Sequence, residues 1–305
     1  VIYMEKLKNL SKKQKTIISV LCVVLAAAIG VGVYFFVSSK DKPETSEPEN
    51  FVSESETKEE TTVPAEYNDY YQENNDFVGW IKIDGTHVDY PVVQTDNNDY
   101  YLKNNFKKKK EGRGAIFMDK DCNAQTLDTN TVIHGHNWLD KTMFSQLTKY
   151  SDFDFYKEHP VIEFNTRTQM HKWKIVSVFI TSASKTEDNG YVFNYIYPHM
   201  ESINFEGYVN ELKTRSMYNT GVDIKEGDKF LTLSTCTREL DTKKHRADVR
   251  IVIVGRMVRE NESATVDTSL ATENKNAKYP QIWYDVKGKE NPYKNDTKWV
   301  PKKIK

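Results

Sequence analysis

Lys229–Phe230–Leu231–Thr232–Leu233–Ser234–Thr235–Cys236 is a short apolar run that ends on a cysteine, after which the chain turns polar at Thr237–Arg238–Glu239. A run of this length and composition predicts a buried strand that delivers a thiol to its C-terminal end. Val249–Arg250–Ile251–Val252–Ile253–Val254–Gly255 is a second such run. About a dozen polar residues separate the two, a spacing that suits an antiparallel pair. Antiparallel pairing sets the start of the second strand beside the end of the first, so Arg250 is expected to neighbour Cys236. A thiol beside a guanidinium is favoured to ionise, which makes Cys236 a candidate nucleophile.

Upstream, Phe77–Ile83, Asp84–Gly85–Thr86 and His87–Val93 read as strand, tight turn and returning strand. Gly114–Met118, Thr129–Ile133, Val161–Asn165 and His171–Thr181 are further strand candidates, each bounded by turn-forming residues. One helix interrupts them: Phe205, Tyr208, Val209 and Leu212 fall on a single helical face just before the cysteine strand. Many short strands with one inserted helix indicate a mainly β fold, a barrel or sandwich with helical decoration.

The N-terminal part differs in kind. Residues 1–15 are basic, and Thr16 to Val37 is a charge-free run of about 22 residues, long enough to cross a bilayer as a helix. Lysines lie before it, and the stretch after it is rich in Glu. The charge bias predicts a single-pass signal anchor at 16–37, with the N-terminus cytoplasmic and the rest extracellular. The run extends well past Ala26–Ala27–Ala28, which favours a retained anchor over a cleaved signal peptide. Residues 38–66 are dominated by Glu, Ser, Thr, Pro and Lys and read as a flexible extracellular tether. The folded catalytic domain is expected over 67–258. The aromatic-rich segment 259–305 is expected to dock on its surface.

Composition limits the chemistry. With 43 basic and 44 acidic residues the net charge is -1, which gives no basis for nucleic-acid binding. Three cysteines exclude a disulfide-built scaffold. Cys122 is a poor nucleophile candidate, a loop thiol flanked by Asp119 and Asp121, whose charges oppose ionisation. Among the histidines, His87, His159, His171, His199 and His245 read as surface or structural. His134–Gly135–His136–Asn137 stands apart, because two imidazoles follow directly on a strand and Gly135 frees the backbone that leads off it. A metal site is disfavoured there, since no carboxylate or cysteine sits at ligand spacing beside it.

Thr232–Leu233–Ser234–Thr235–Cys236 resembles the TLxTC signature of sortases, the membrane-anchored cysteine transpeptidases of Gram-positive bacteria. Asp76–Phe77–Val78–Gly79–Trp80–Ile81–Lys82–Ile83 and Tyr90–Pro91–Val92–Val93–Gln94 are similar to the opening of class B sortases. So are Tyr100–Tyr101–Leu102, Gly114–Asp119, Met143–Phe144 and the helix before the cysteine strand, and together these cover about Tyr67 to Val258 in order. The resemblance implies a sortase-type closed β-barrel. It places the nucleophile on Cys236, the histidine on His136 and the arginine on Arg250, with Arg246 in reserve and Ser234, Thr235 and Asn137 in support. His134 occupies the position usually held by tyrosine, which leaves open which imidazole acts. Arg256 is too far along the strand.

The implied reaction cleaves a C-terminal sorting motif of exported proteins through a thioester and transfers them to an amine of a peptidoglycan precursor. It requires no metal or organic cofactor. Two alternatives stand beside it. One is a pilus-assembling enzyme that uses a pilin lysine. The other is a wall-associated cysteine peptidase, although in those enzymes cysteine usually precedes histidine.

Overall fold

A computed structural model describes residues 63–302. The anchor expected at 16–37 and most of the tether lie outside the described residues. Among the described residues no helix is long and apolar enough to cross a membrane.

Helix α1 (Glu66–Glu73) leads into strands β1 (Phe77–Lys82), β2 (Asp89–Val93), β3 (Ile116–Met118) and β4 (Asn130–His134). Helix α2 (Phe153–Glu158) then precedes β5 (Val161–Thr166) and β6 (Lys172–Ser182). Helix α3 (Ser202–Arg215) and the two-residue strand β7 (Tyr218–Asn219) lead to β8 (Phe230–Cys236) and β9 (Val249–Met257). Strand β10 (Thr272–Glu273) and helix α4 (Gln281–Lys287) follow. Eight strands close into a barrel in the order β1-β2-β3-β4-β8-β9-β6-β5. The expected mainly β closed barrel is therefore observed. Helices α1, α2 and α4 were not foreseen: each has eight residues or fewer, too short for a periodic apolar face to declare itself.

The β1–β2 turn needs a left-handed backbone at Gly85, which has φ of 75°. The long apolar runs of β6, β8 and β9 exist because both of their faces are covered. Successive side chains on a strand point to opposite faces. Leu231, Leu233, Ile251 and Ile253 fill the barrel, while Phe230, Val252 and Val254 pack outward against Phe205, Tyr208 and Leu212 of α3. Fully burying one such side chain contributes about 1.5–3 kcal/mol.

Two pairings set the position of the site. Strands β8 and β9 are antiparallel, with Cys236 opposite Arg250 and Phe230 opposite Arg256. Strands β4 and β8 are parallel, with His134 beside Ser234. The C-terminal ends of β4 and β8 and the start of β9 thus meet at one rim.

The chain after β9 runs back over the domain. Glu262 accepts hydrogen bonds from the buried Arg256 and from Lys174 at 2.7 Å. Strand β10 pairs with β7. Ile282 of α4 is buried with Ile180, Leu240, Ala247 and Val249, and Trp299 packs edge-on against Phe193 of the β6–α3 loop.

Candidate active site

Cys236 ends β8 as a free, half-buried thiol. By the period of two it shares a face with Ser234, Thr232 and Phe230, so it opens outside the barrel lumen. Arg250 lies directly across the ladder on the same face. Its Nη1 donates to Asp248 Oδ1 at 2.6 Å. Burial opposes the guanidinium charge, but the Cys236 sulfur and the Asp248 carboxylate outweigh it and raise the Arg250 pKa. Sulfur and guanidinium thus face each other across the ladder.

His134 ends β4, and Gly135, His136 and Asn137 follow. Gly135 does not have positive φ. The sequence-based reason for this glycine was therefore incomplete: a Cβ there would stand 2.5 Å from Ile116 Cδ1 and 2.8 Å from the Phe144 ring. The residue is required by close approach, which lets the loop lie flat over β3. Thr235 Oγ1 donates to the Gly135 carbonyl at 2.7 Å, and Asn137 Nδ2 donates to the Cys236 carbonyl at 2.9 Å. The histidine loop is thus fastened to the cysteine strand from both sides. The His136 ring donates from Nε2 to the Leu102 carbonyl at 3.0 Å.

A cleft of about 410 Å³ brings together His134, His136, Ser234, Thr235, Cys236 and Arg250. Asn98, Asp99 and Leu102 form one wall, and Tyr195 and Ile196 of the β6–α3 loop form another. Asn137 lies behind the cleft, attached to the Cys236 backbone. Arg246 is exposed in the β8–β9 loop and does not line the cleft, and neither do the other five histidines. Arg256 is fully buried at the opposite end of β9.

Two residues of the site were missed by sequence reasoning. Tyr195 donates to or accepts from Ser234 Oγ at 2.8 Å; it comes from an irregular stretch with no periodic signal. Asp119 Oδ2 lies 2.9 Å from His134 Nε2. A carboxylate does stand beside the first imidazole, contrary to the reading by spacing, because the β3–β4 pairing delivers it from a distance in sequence. Among the described residues no group of three potential metal ligands forms.

Cys122 lies in the loop between β3 and β4, as expected, and is buried there. It is 7% exposed, and its sulfur accepts from the Val132 N–H at 3.4 Å. Burial, reinforced by Asp119, Asp128 and Asp121, pushes this thiol up to about 12. It stays protonated and unreactive.

The family model described as Sortase domain matches residues 81–258. Sortase B of Listeria monocytogenes is 37% identical over 197 residues, which span 64% of this chain and 75% of that protein. Sortase B of Staphylococcus aureus is 30% identical over 254 residues, covering 81% of this chain and 98% of that protein. A solved Staphylococcus aureus sortase B–substrate complex superposes with a TM-score of 0.58 at 30% identity, covering 66% of this chain and 88% of the other. A barrel of this topology, with a cysteine strand of this sequence and relatives covered along most of their length, places the chain in the sortase family as a class B cysteine transpeptidase.

Proposed function

We propose that Cys236, His136 and Arg250 carry the transpeptidation, on exported proteins that bear a C-terminal sorting motif. The observation that supports this most directly is the pairing of Cys236 with Arg250 in a cleft that also holds His136. The Cys236 thiolate attacks the carbonyl of a Thr–Gly or Thr–Asn type bond. Arg250 holds the substrate backbone and stabilises the oxyanion through charge-assisted hydrogen bonds. His136, as imidazolium, protonates the leaving amine and is left neutral. An amine then resolves the thioester.

For the acceptor we propose an amine of a peptidoglycan precursor. Residues 16–37 would anchor the enzyme in the membrane, and 38–66 would hold the domain just outside it, where exported substrates and wall precursors arrive. A pilin lysine is the alternative acceptor.

Incubation with a sorting peptide and an amine tests the reading. The expected result is a peptide–amine product that requires Cys236. Hydrolysis alone, whatever the amine, would contradict it.

A further inference from the structure

The proposed scheme uses one imidazole of the pair, yet the second is the more elaborately held. His134 Nε2 lies 2.9 Å from Asp119 Oδ2. The Asp119 side chain is 3% exposed and accepts two more hydrogen bonds, from Asn98 Nδ2 at 3.0 Å and from the Asp121 backbone at 3.1 Å. Burial pushes this carboxyl up, but His134 and the other donors outweigh it and hold it below the usual carboxylate range. An ionised carboxylate only accepts, so Nε2 carries a hydrogen, and whenever the ring is neutral it is Nδ1 that bears the lone pair. The described residues direct no hydrogen bond to Nδ1, and the ring is 21% exposed on the wall of the cleft. The other titratable groups of that cleft are Asp99, His136, Tyr195, Cys236 and Arg250.

A count of protons gives this pair a task. An aliphatic amine is mostly ammonium at neutral pH, with a pKa of about 10.4 for a lysine side chain and about 7.7–8.0 for an α-amino group. It must lose one proton before it can attack and a second as the amide forms. His136, neutral in the acyl-enzyme, can take only one. A water acceptor attacks without a prior deprotonation of this kind.

We propose that His134, backed by Asp119, is a further catalytic residue that takes the first proton from the incoming ammonium. This inference rests on the acyl-transfer reading above. The ammonium gives a proton to His134 Nδ1, and the imidazolium that forms lies against the Asp119 carboxylate. The free amine adds to the thioester carbonyl, forming the C–N bond, and its second proton passes to His136. The C–S bond breaks and Cys236 leaves as thiolate, which restores its pairing with His136 imidazolium and Arg250. His134 then releases its proton to water. One ammonium and one thioester have become one amide, one thiolate and two protons, and both are accounted for.

The test compares the full-chain wild type with His134→Tyr and Asp119→Asn. Each is acylated by the same peptide and resolved by water, by triglycine or by hydroxylamine, which is largely neutral at pH 7. In His134→Tyr the triglycine-to-hydrolysis ratio is expected to fall at least about tenfold, and the hydroxylamine ratio by no more than about twofold. Asp119→Asn should lose in the same direction and by less. Raising the pH through the triglycine pKa should restore transfer in both variants. Equal loss toward the two amines would reduce His134 to a wall of the cleft and overturn the inference; so would acylation followed by an unchanged ratio. Should His134→Tyr fail to fold, Asp119→Asn carries the same comparison. Absence of any acyl-enzyme in the wild type would instead remove the proposed function itself.

Discussion

Arg250 and Arg256 lie on the same face of the same strand, at opposite ends of the barrel. Arg256 is fully buried and saturated: Glu262 takes two of its N–H groups, and Asp223 and two backbone carbonyls accept from it as well. Arg250 is partly exposed, meets one carboxylate, and points its charge into a cleft beside a thiol. A guanidinium whose hydrogen bonds are all spent on the protein holds structure together. One with donors to spare can act on a substrate. The same contrast separates the cysteines: Cys122 is buried beside carboxylates, whereas Cys236 is half-open beside an arginine.

The largest effect that would sharpen this contrast is expected from Cys236→Ala, which should lower transpeptidation more than about a thousandfold. Cys122→Ala should leave turnover nearly intact, and iodoacetamide should label the native protein at Cys236 and not at Cys122. Arg250→Ala should cost about 10²–10³ in turnover, as for removal of an oxyanion donor, with little change in urea unfolding. Arg256→Met should do the reverse. It leaves Glu262 without its main partner and should destabilise the fold by about 3–5 kcal/mol, with folded molecules still active. If the two arginine variants failed in the same way, the division between the ends would break.

Acid sharpens the contrast further. Hydrogen bonding from Arg256 holds the Glu262 carboxyl well below the usual range, against the opposing effect of burial. Its contribution to stability is therefore present above the unfolded value of about 4.3 and is lost as pH falls below it. Unfolding measured from pH 7 to pH 3 should show a shallower acid limb in Glu262→Gln. The smallest effect is expected from Asn137→Ala, which removes one hydrogen bond to the Cys236 carbonyl. The loss should be about 1 kcal/mol, read as a severalfold drop in turnover.

What the sequence disclosed follows the same physics. The strands were legible because burial on both faces produces continuous apolar runs, and Cys236–Arg250 pairing followed from two such runs joined by one loop. The parallel β4–β8 pairing was hidden, because it joins strands far apart in the chain. Tyr195 was hidden because it reaches the cleft from an irregular segment that carries no period, and Asp119 because only the β3–β4 pairing brings it to His134. The aromatics of 279–299 stand out in the sequence, but their partners Leu240, Ala247 and Phe193 do not.

The central claim is that the sulfur of Cys236 becomes acylated by a sorting peptide. Intact-protein mass spectrometry after brief exposure to peptides with Thr–Gly and Thr–Asn bonds tests it most directly. The account predicts an adduct equal to the N-terminal peptide fragment, located on Cys236, discharged by amine and absent from Cys236→Ala. Cleavage that proceeds in Cys236→Ala, or an adduct on Cys122, would contradict it.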